Sequence, residues 1–391
     1  MSNPIGVGLI GLGTVGSGVV ELLQDAPSSM RRRKHVDFAL KRIAVRDMAR
    51  PRAVAVDKAL LTAEAAEVVA DPAVQLVVEL TGAAPAYEWV SAALRQGKDV
   101  VTANKALLAE RGEELFELAL KNGADLMFEA SVAGGIPIIR SLRSGLVANR
   151  VESLYGILNG TTNYILTRMS RGEGDYADIL KDAQDEGYAE PDPTMDVSGM
   201  DAAQKLAILC RIGFHSTGTG SDVFCEGIEQ IEQSDIEYAR ELGFVIKLLA
   251  IAKQQNGSVE ARVHPAMVPT DSLLANIHDE FNAIQVQGSA VGPQVFSGRG
   301  AGQMPTASAV VADMVELVER KVSGAGTAIG DMILGEEAVS IAPVENVEMR
   351  YFLRALVCDQ PGVLERIARI LAEEHISIAS VIQKERDLEG G

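Results

Sequence analysis

The chain has 391 residues, of which 47% are hydrophobic, 23% charged and only 4% aromatic, and a single ordinary core does not accommodate this length. The net charge of −18 argues against nucleic acid as a partner, and no apolar run is long enough to cross a bilayer. The N-terminus lacks the features of a signal peptide, and three widely spaced cysteines form no disulfide framework, so we expect a cytosolic protein without a membrane partner.

The first third of the chain alternates strands with helices. Residues 5–10 form an apolar segment bounded by glycines, which is typical of a buried parallel strand. Further strands are expected at residues 36–45, 73–80, 99–104 and 124–130, and helices at 14–24, 86–97 and 105–123. This order predicts an α/β fold, in which residues 1–135 form a Rossmann-type nucleotide domain with an open parallel sheet.

The pattern changes after that domain. A strand at 151–159, helices at 161–170, 176–186 and 201–212, and strand-like runs near 244–268 predict an α+β domain for substrate binding and dimerisation over residues 136–303. An amphipathic helix at 304–320, within a segment 304–330, is expected to pack back on the first domain. The last unit, residues 349–391, is expected to have a strand at 350–359, a helix at 362–375 and a strand at 377–385.

A glycine motif lies between the first strand and the first helix. Gly11, Gly13 and Gly16 form GxGxxG, which is a weak signal alone but gains weight from this strand-to-helix context. The first glycine permits the tight turn, the second a close approach to a pyrophosphate, and the third close packing of the helix. Thr14 and Val15 lie at the helix N-terminus, whose N–H groups bind phosphates. We therefore predict a dinucleotide site.

The end of the second strand bears on the choice of cofactor. An acidic residue there favours NAD and an arginine favours NADP. Both are present, as Arg46 and Asp47. Because Arg46 comes first, with Arg50 and Arg52 close behind, the sequence favours NADP without excluding NAD.

Polar residues also follow two later strands of the same sheet. Thr81 follows the strand at 73–80, and Asn104 and Lys105 follow the next one. Ligands bind at the carboxyl ends of such strands. These three residues are therefore candidates to touch the nicotinamide half of the cofactor or the substrate.

Two charged residues on one helix suggest a catalytic pair. Asp201 and Lys205 are four residues apart and share a helix face, a spacing more often produced by a surface ion pair. Here the helix continues with apolar residues, and the preceding loop contains Glu190 and Asp196. Reduction of a carbonyl by hydride needs a proton donor, and a lysine can serve. A substrate ammonium group needs a carboxylate, for which Glu190 and Asp196 are suitable.

Three segments, together with the glycine motif, carry a family resemblance: GILNGTTNYILTRM, GYAEPDPTMDVSGMDAAQKL and NKALLA. On these motifs the chain resembles homoserine dehydrogenase over residues 5–320. The resemblance implies reversible hydride transfer between L-homoserine and L-aspartate 4-semialdehyde with NADP or NAD. It further implies a homodimer or homotetramer and a place in the route to threonine, methionine and isoleucine.

The resemblance also assigns roles to individual residues. Lys205 would be the proton donor and acceptor, and Asp201 would orient it or hold the substrate. Glu190 would bind the substrate amino group, with Asp196 supporting that site. Lys105 would lie between nicotinamide and substrate.

Three further implications come from the same resemblance. A structural sodium ion would lie near the domain junction, bound mostly by backbone carbonyls of Glu129, Val132, Gly134 and Ile136. Gly302 would approach the cofactor from the returning helix. The last unit is similar to the first half, βαβ, of an ACT regulatory module.

Two other functions remain open at this stage. A dehydrogenase that oxidises a semialdehyde usually needs a cysteine nucleophile, and Cys210 and Cys225 have no obvious base nearby. A dinucleotide sensor with an amino-acid-binding module would need no catalysis, but it would not explain the Asp201–Lys205 helix.

Overall fold

Two six-stranded sheets organise the molecule. The structure is a computed structural model that describes residues 4–25, 34, 36–255, 257–332, 338–358 and 360–383. Within these ranges no helix is both long enough and apolar enough to cross a membrane.

The first sheet is parallel, with strand order β3-β2-β1-β4-β5-β6. Its strands are β1 Ile5–Ile10, β2 Phe38–Ala44, β3 Leu61–Thr62, β4 Leu76–Glu79, β5 Asp99–Thr102 and β6 Leu126–Met127. The central strands are almost wholly buried because helices cover both faces, which explains their unbroken apolar sequences. The predicted Rossmann-type sheet is confirmed, with the short edge strand β3 as a sixth, unexpected member.

The helices of this first part are α1 Thr14–Asp25, α2 Ala65–Ala70, α3 Ala86–Arg95 and α4 Lys105–Lys121. Both α1 and α4 begin directly beyond the carboxyl end of a strand. Their N-termini therefore lie at the sheet edge where a parallel α/β sheet binds its ligands.

The second sheet has the order β12-β11-β7-β9-β10-β8. Its strands are β7 Val151–Ile157, β8 Phe224–Cys225, β9 Phe244–Gln255, β10 Ser258–Pro269, β11 Phe281–Gly288 and β12 Gly292–Arg299. All pairs are antiparallel except β8 with β10. The hairpin β11–β12 was not expected from the sequence, because Gln285 and Gln287 and several glycines make it look like a loop.

The helices of the second part are α5 Ile138–Arg140, α6 Gly160–Ser170, α7 Tyr176–Asp185, α8 Thr194–Val197, α9 Met200–Phe214 and α10 Gln233–Glu241. Of these, α6, α9 and α10 pack against β9. Helix α9 is buried along most of its length, since it also contacts α4 of the first part. The polar residues at its start are therefore held in a fixed place between the two sheets.

The returning helix is α11, Gln303–Ser323, and it packs along α1. The contact is close at Gly18, where an added Cβ would lie 2.9 Å from the Cβ of Ala307 and from Cγ of Gln303. The absence of a side chain at Gly18 is thus what allows the two helices to approach.

The strand expected at 124–130 is shorter than predicted. After Met127 the chain leaves the sheet, and Glu129–Ser131 form a 3-10 turn. The Glu129 N–H donates to Asp313 Oδ2 on α11 at 2.8 Å, and the Glu129 carboxylate accepts the N–H groups of Ile139 and Arg140, each at 2.8 Å. Burial raises the pKa of both carboxyl groups, that of Asp313 to about 8. These tertiary hydrogen bonds replace the strand pairing that the sequence suggested.

The expected ACT-like tail is only partly formed. Its helix is present as α12, Val363–Glu373, but residues 350–358 and 377–383 form no strand, and the rest of both expected strands lies outside the described residues. Side chains in the first segment are strongly exposed, for example Tyr351 at 78% and Leu356 at 85%. Strand-like sequence is not sufficient, because a strand needs a partner to pair its backbone groups.

Candidate active site

Asp201 is the centre of a buried charged cluster. It is the second residue of α9, which begins after Gly199 at φ 85°. Its Oδ2 accepts a hydrogen bond from Lys205 Nζ at 2.7 Å, and the Nζ of Lys105 lies 3.0 Å from its Oδ1. The Asp201 side chain is only 7% exposed, so the predicted i,i+4 pair is buried rather than on the surface.

Lys205 has a second fixed partner. Its Nζ also donates to the Leu158 carbonyl at 2.7 Å, and its side chain is 13% exposed. An ammonium group carries three N–H donors. The two hydrogen bonds orient the ammonium and leave one donor for another group.

Asn159, which is not among the residues predicted from the sequence, joins the cluster to Asp196. Its Oδ1 caps α6 by accepting the Thr162 N–H at 2.9 Å. Its Nδ2 donates to Asp196 Oδ1 at 2.7 Å and to Asp201 Oδ2 at 2.9 Å. An asparagine directly after a strand and before a helix is a typical N-cap, which was the available signal. The bridging of two carboxylates depends on the tertiary structure.

The two predicted ammonium-binding carboxylates differ in their surroundings. Asp196, on α8, is half-buried and also accepts a hydrogen bond from Thr161 Oγ1 at 3.2 Å. Glu190 lies in the exposed loop after α7, and its carboxylate makes no hydrogen bond or ion pair within the described part of the chain. The structure thus brings Asp196 into the cluster and leaves Glu190 outside it.

The electrostatic balance keeps Asp201 ionised. Burial alone would raise the pKa of its carboxyl group, but the ammonium groups of Lys205 and Lys105 and the hydrogen bonds from Lys205 and Asn159 outweigh burial. The pKa of Asp201 therefore lies well below its ordinary value. Lys105 starts α4 in the first part of the molecule, and Lys205 belongs to α9 in the second part. The Asp201 carboxylate therefore connects a helix of one part with a helix of the other.

The three motif glycines are required for different reasons. Gly11 has φ 103°, and its N–H donates to the Ala44 carbonyl at 3.0 Å. A Cβ at Gly16 would lie 2.2 Å from the Gly11 carbonyl oxygen, whereas a Cβ at Gly13 would meet no described atom within 4 Å. Close contacts within the protein therefore explain why residues 11 and 16 are glycines. At Gly13 the missing side chain suits the close approach of a ligand to the backbone, beside Thr14 and Val15 at the start of α1.

The arginines after β2 are not equivalent. Arg52 donates to the Leu12 carbonyl at 3.3 Å and to the Asp47 carbonyl, so it stabilises the loop beside the glycine turn. Arg46 is exposed, and its side chain makes no hydrogen bond or ion pair with any residue that the structure describes. Of the two, Arg46 is the one available to a ligand.

The other predicted cofactor residues lie at strand or helix ends. Thr81 is exposed just beyond β4, and its methyl group would be 2.9 Å from a Cβ at Gly11. Asn104 caps α4 by accepting the Leu107 N–H at 3.1 Å. Gly302 immediately precedes α11 at φ 118°, a backbone angle that favours glycine. Thr81 is thus in direct proximity to the glycine turn.

The predicted cation segment forms a sharp turn. Ala133 and Gly134 both have positive φ, at 51° and 42°. The described residues contain no group of three or more His, Cys, Asp or Glu side chains suited to a metal. The carbonyls of the buried residues Val132 and Gly134 accept no hydrogen bond from any described group. A cation here would therefore be held by backbone oxygens, with Glu129 and Ile136 as flanking residues.

Cys210 and Cys225, the two cysteines considered from the sequence, do not have the character of nucleophiles. Burial raises the pKa of the Cys210 thiol to about 12 and that of Cys225 to about 11. A thiol acts as a nucleophile through its thiolate. The structure thus disfavours the cysteine-dependent semialdehyde dehydrogenase considered above.

Comparisons with known proteins agree over nearly the whole chain. Family models described as homoserine dehydrogenase, NAD binding domain, and as homoserine dehydrogenase match residues 11–129 and 137–315. The chain is 42% identical over 381 residues to a homoserine dehydrogenase of Bacillus subtilis, covering 97% of this chain and 87% of the relative. It is also 42% identical to one of Pseudomonas aeruginosa, covering 100% and 90%. A crystal structure of a homoserine dehydrogenase from Thiobacillus denitrificans matches with a TM-score of 0.88 and 43% identity, covering 98% of this chain and 89% of that one.

Proposed function

Since the chain belongs to the homoserine dehydrogenase family, an oxidoreductase family, we propose that Lys205 is the proton donor and acceptor of its reaction. That reaction interconverts L-homoserine and L-aspartate 4-semialdehyde. The observation that carries the proposal is the buried Asp201 carboxylate, 2.7 Å from the Lys205 ammonium and 3.0 Å from that of Lys105. Asp201 orients the proton-transferring lysine, and Lys105 lies on the cofactor side.

The chemistry follows from the charge of Lys205. A bound nicotinamide supplies or accepts the hydride at the carbon that bears the reacting oxygen. During reduction, the Lys205 ammonium donates a proton to that oxygen as negative charge develops on it. During oxidation, the neutral Lys205 amine accepts the hydroxyl proton. Asp201 stays ionised throughout and stabilises the ammonium form.

The substrate's α-ammonium group needs a carboxylate away from the reacting oxygen. We propose that Asp196 and Glu190 supply it. Asp196 is held in place by hydrogen bonds from Asn159 and Thr161, and Glu190 has no competing partner within the described residues. Glu190 would therefore contact the substrate directly, while Asp196 supports the site.

We propose that the cofactor is NADP in preference to NAD, bound by the glycine turn, Thr81, Asn104 and Gly302, with Arg46 at the 2′-phosphate. Replacing Arg46 by alanine should weaken NADP about ten- to hundredfold and NAD much less, because a charged hydrogen bond to phosphate is lost. Absorbance of the reduced cofactor, followed with homoserine at alkaline pH, measures both KM values. The matched control is Arg50→Ala, an exposed neighbour. Equal losses for both cofactors would remove Arg46 from the 2′-phosphate.

We propose that a sodium ion is held at the turn of Val132 and Gly134, with backbone oxygens of Glu129 and Ile136 completing the set. The support is the pair of buried carbonyls without donors, since hard cations prefer oxygen ligands. The melting temperature should be higher in sodium chloride than in choline chloride of equal concentration. At a sodium concentration of ten times the Kd, binding should raise the free energy of unfolding by about 1.4 kcal/mol. Identical melting curves in the two salts would contradict the site.

We also propose that two chains form a homodimer through the second sheet. Helices cover one face of this sheet, while the other carries an apolar cluster that includes Ile157, Leu249 and Ile251. Half-buried Tyr155 and Ala266 extend the cluster. The centre of this cluster is already buried within one chain, and its half-buried margin offers an apolar contact to a second copy.

The substrates of the reaction indicate the metabolic route to which it belongs. We propose that the chain serves amino-acid biosynthesis in the cytosol, on the route to threonine, methionine and isoleucine. The support is the activity of the family, because homoserine is formed by reduction of a semialdehyde made from aspartate.

A further inference from the structure

Glu79 is a buried carboxylate that the mechanism above does not use. It is the last residue of β4 and is 0% exposed. Its Oε1 accepts the Thr81 N–H at 2.7 Å and the Thr81 hydroxyl at 2.6 Å, and its Oε2 accepts the Thr102 hydroxyl at 2.8 Å. Among the described residues no lysine, arginine or histidine pairs with it. Burying a carboxylate that is held only by neutral donors costs free energy of folding, so a glutamate at this position indicates a specific role.

The position of Glu79 in the sheet indicates that role. Glu79 pairs in register with Ile10 on one side and Thr102 on the other, so three strands end in one row. Helix α3 follows β4 after a short loop, and α4 follows β5 after two residues. The N-termini of both helices therefore lie at this edge, and their dipoles favour a negative charge there. Glu79 thus fixes the carboxyl edge of the sheet at its centre.

The hydrogen bonds continue from Glu79 to the active-site cluster. Thr102 Oγ1 accepts the Asn104 N–H at 3.0 Å, and Asn104 caps the helix that starts with Lys105. The Lys105 ammonium lies 3.0 Å from Asp201 Oδ1. In the other direction, Glu79 holds both the N–H and the hydroxyl of Thr81, which packs beside Gly11. The Glu79 carboxylate is thus hydrogen-bonded directly to Thr81, and through Thr102 to the residue that precedes Lys105, at the carboxyl edge of the sheet.

We propose that Glu79 is a positioning residue that fixes Thr81 and Lys105 at the nicotinamide end of the cofactor. It touches neither substrate nor cofactor and acts through Thr81 and Thr102. This inference rests on the proposed cofactor contact of Thr81. Its consequence is that removing the charge moves the nicotinamide relative to the substrate carbon without changing the proton-transferring pair.

The test compares three variants: Glu79→Gln, Thr102→Val and Thr102→Ser. Glu79→Gln keeps the side-chain shape but removes the charge and replaces the oxygen that accepts the Thr102 hydroxyl by an amide nitrogen, so NADPH should bind about tenfold more weakly in calorimetry. Hydride transfer should also become more rate-limiting, and the isotope effect on kcat with homoserine deuterated at its hydroxyl-bearing carbon should rise. Thr102→Val lacks the hydroxyl and should change both readouts in the same direction. Thr102→Ser keeps the hydroxyl and should behave as wild type.

The outcomes separate positioning from stability. A lower melting temperature with wild-type NADPH affinity and isotope effect in Glu79→Gln and Thr102→Val would overturn the inference. If Glu79→Gln does not fold, the two Thr102 variants decide, because equal behaviour of valine and serine would also overturn it. Failure of the wild type to bind NADPH would instead remove the proposed cofactor site, and this inference with it.

Discussion

Replacing Lys205 by alanine should lower kcat by about 10²–10⁴-fold, the usual contribution of a general acid–base group. The substrate oxygen would lose the group that exchanges its proton. The fold should survive, because Asp201 keeps Lys105 at 3.0 Å and is not left as an unpaired buried charge. Steady-state kinetics in both directions across the pH range, with NADPH binding measured by calorimetry, would show a loss of turnover with nearly unchanged cofactor affinity.

Three further variants define what Lys205 contributes. Lys205→Arg keeps the positive charge, but a guanidinium does not give up its proton, so the loss of turnover should persist. Glu190→Asp should instead raise the homoserine KM, since a shorter carboxylate holds the α-ammonium less well. Lys181→Ala, at an exposed lysine of α7, is the matched control and should behave as wild type. Near-normal turnover in Lys205→Ala would transfer the proton-transfer role to Lys105.

Replacing Gly13 by valine should abolish cofactor binding while leaving the melting temperature unchanged. A Cβ at Gly13 would meet no described protein atom within 4 Å, so packing at this position gives no reason for a loss of stability. The same side chain would occupy the space through which the pyrophosphate approaches the backbone. Calorimetric titration with NADPH, together with thermal unfolding, measures the two effects separately.

Two other glycines complete this experiment. Gly16→Ala places a Cβ 2.2 Å from the Gly11 carbonyl oxygen, so it should lower the melting temperature as well as cofactor affinity. Gly145→Val, at an exposed glycine with open space around it, is the control for adding a valine at an open glycine position and should bind NADPH normally. Wild-type NADPH affinity in Gly13→Val would show that the cofactor does not approach this part of the turn.

The geometry of the site disfavours both alternative functions. The sensor hypothesis does not explain a lysine with two fixed acceptors and one remaining donor, beside a carboxylate that is ionised and buried. The cysteine-dependent alternative is disfavoured at Cys210 and Cys225, because burial raises the pKa of both thiols. Together with the family membership, these observations favour a homoserine dehydrogenase, for which we propose proton transfer through Lys205.

Some elements were predictable because their signals are local. The buried strands β1, β4 and β5 have continuous apolar sequences, since helices cover them on both sides. Helix α9 has helically spaced apolar residues around Asp201 and Lys205, so the pair could be recognised from the sequence. The hairpin β11–β12 and the tail were not predictable in this way. A strand depends on a partner elsewhere in the chain, and the partner was present for β11 and absent from the described tail.

The sequence by itself determined the nucleotide-binding architecture, the glycine turn and the residues Asp201, Lys205 and Lys105 as candidates. These features depend on residue type and on spacing within one element. Only the tertiary structure decided that Lys105 and Lys205 meet on a single carboxylate, that Asn159 joins two carboxylates, and that Glu79 links two strand ends. Hydrogen bonds and ion pairs between residues far apart in the chain have no local pattern, because their geometry exists only once the two sheets have packed together.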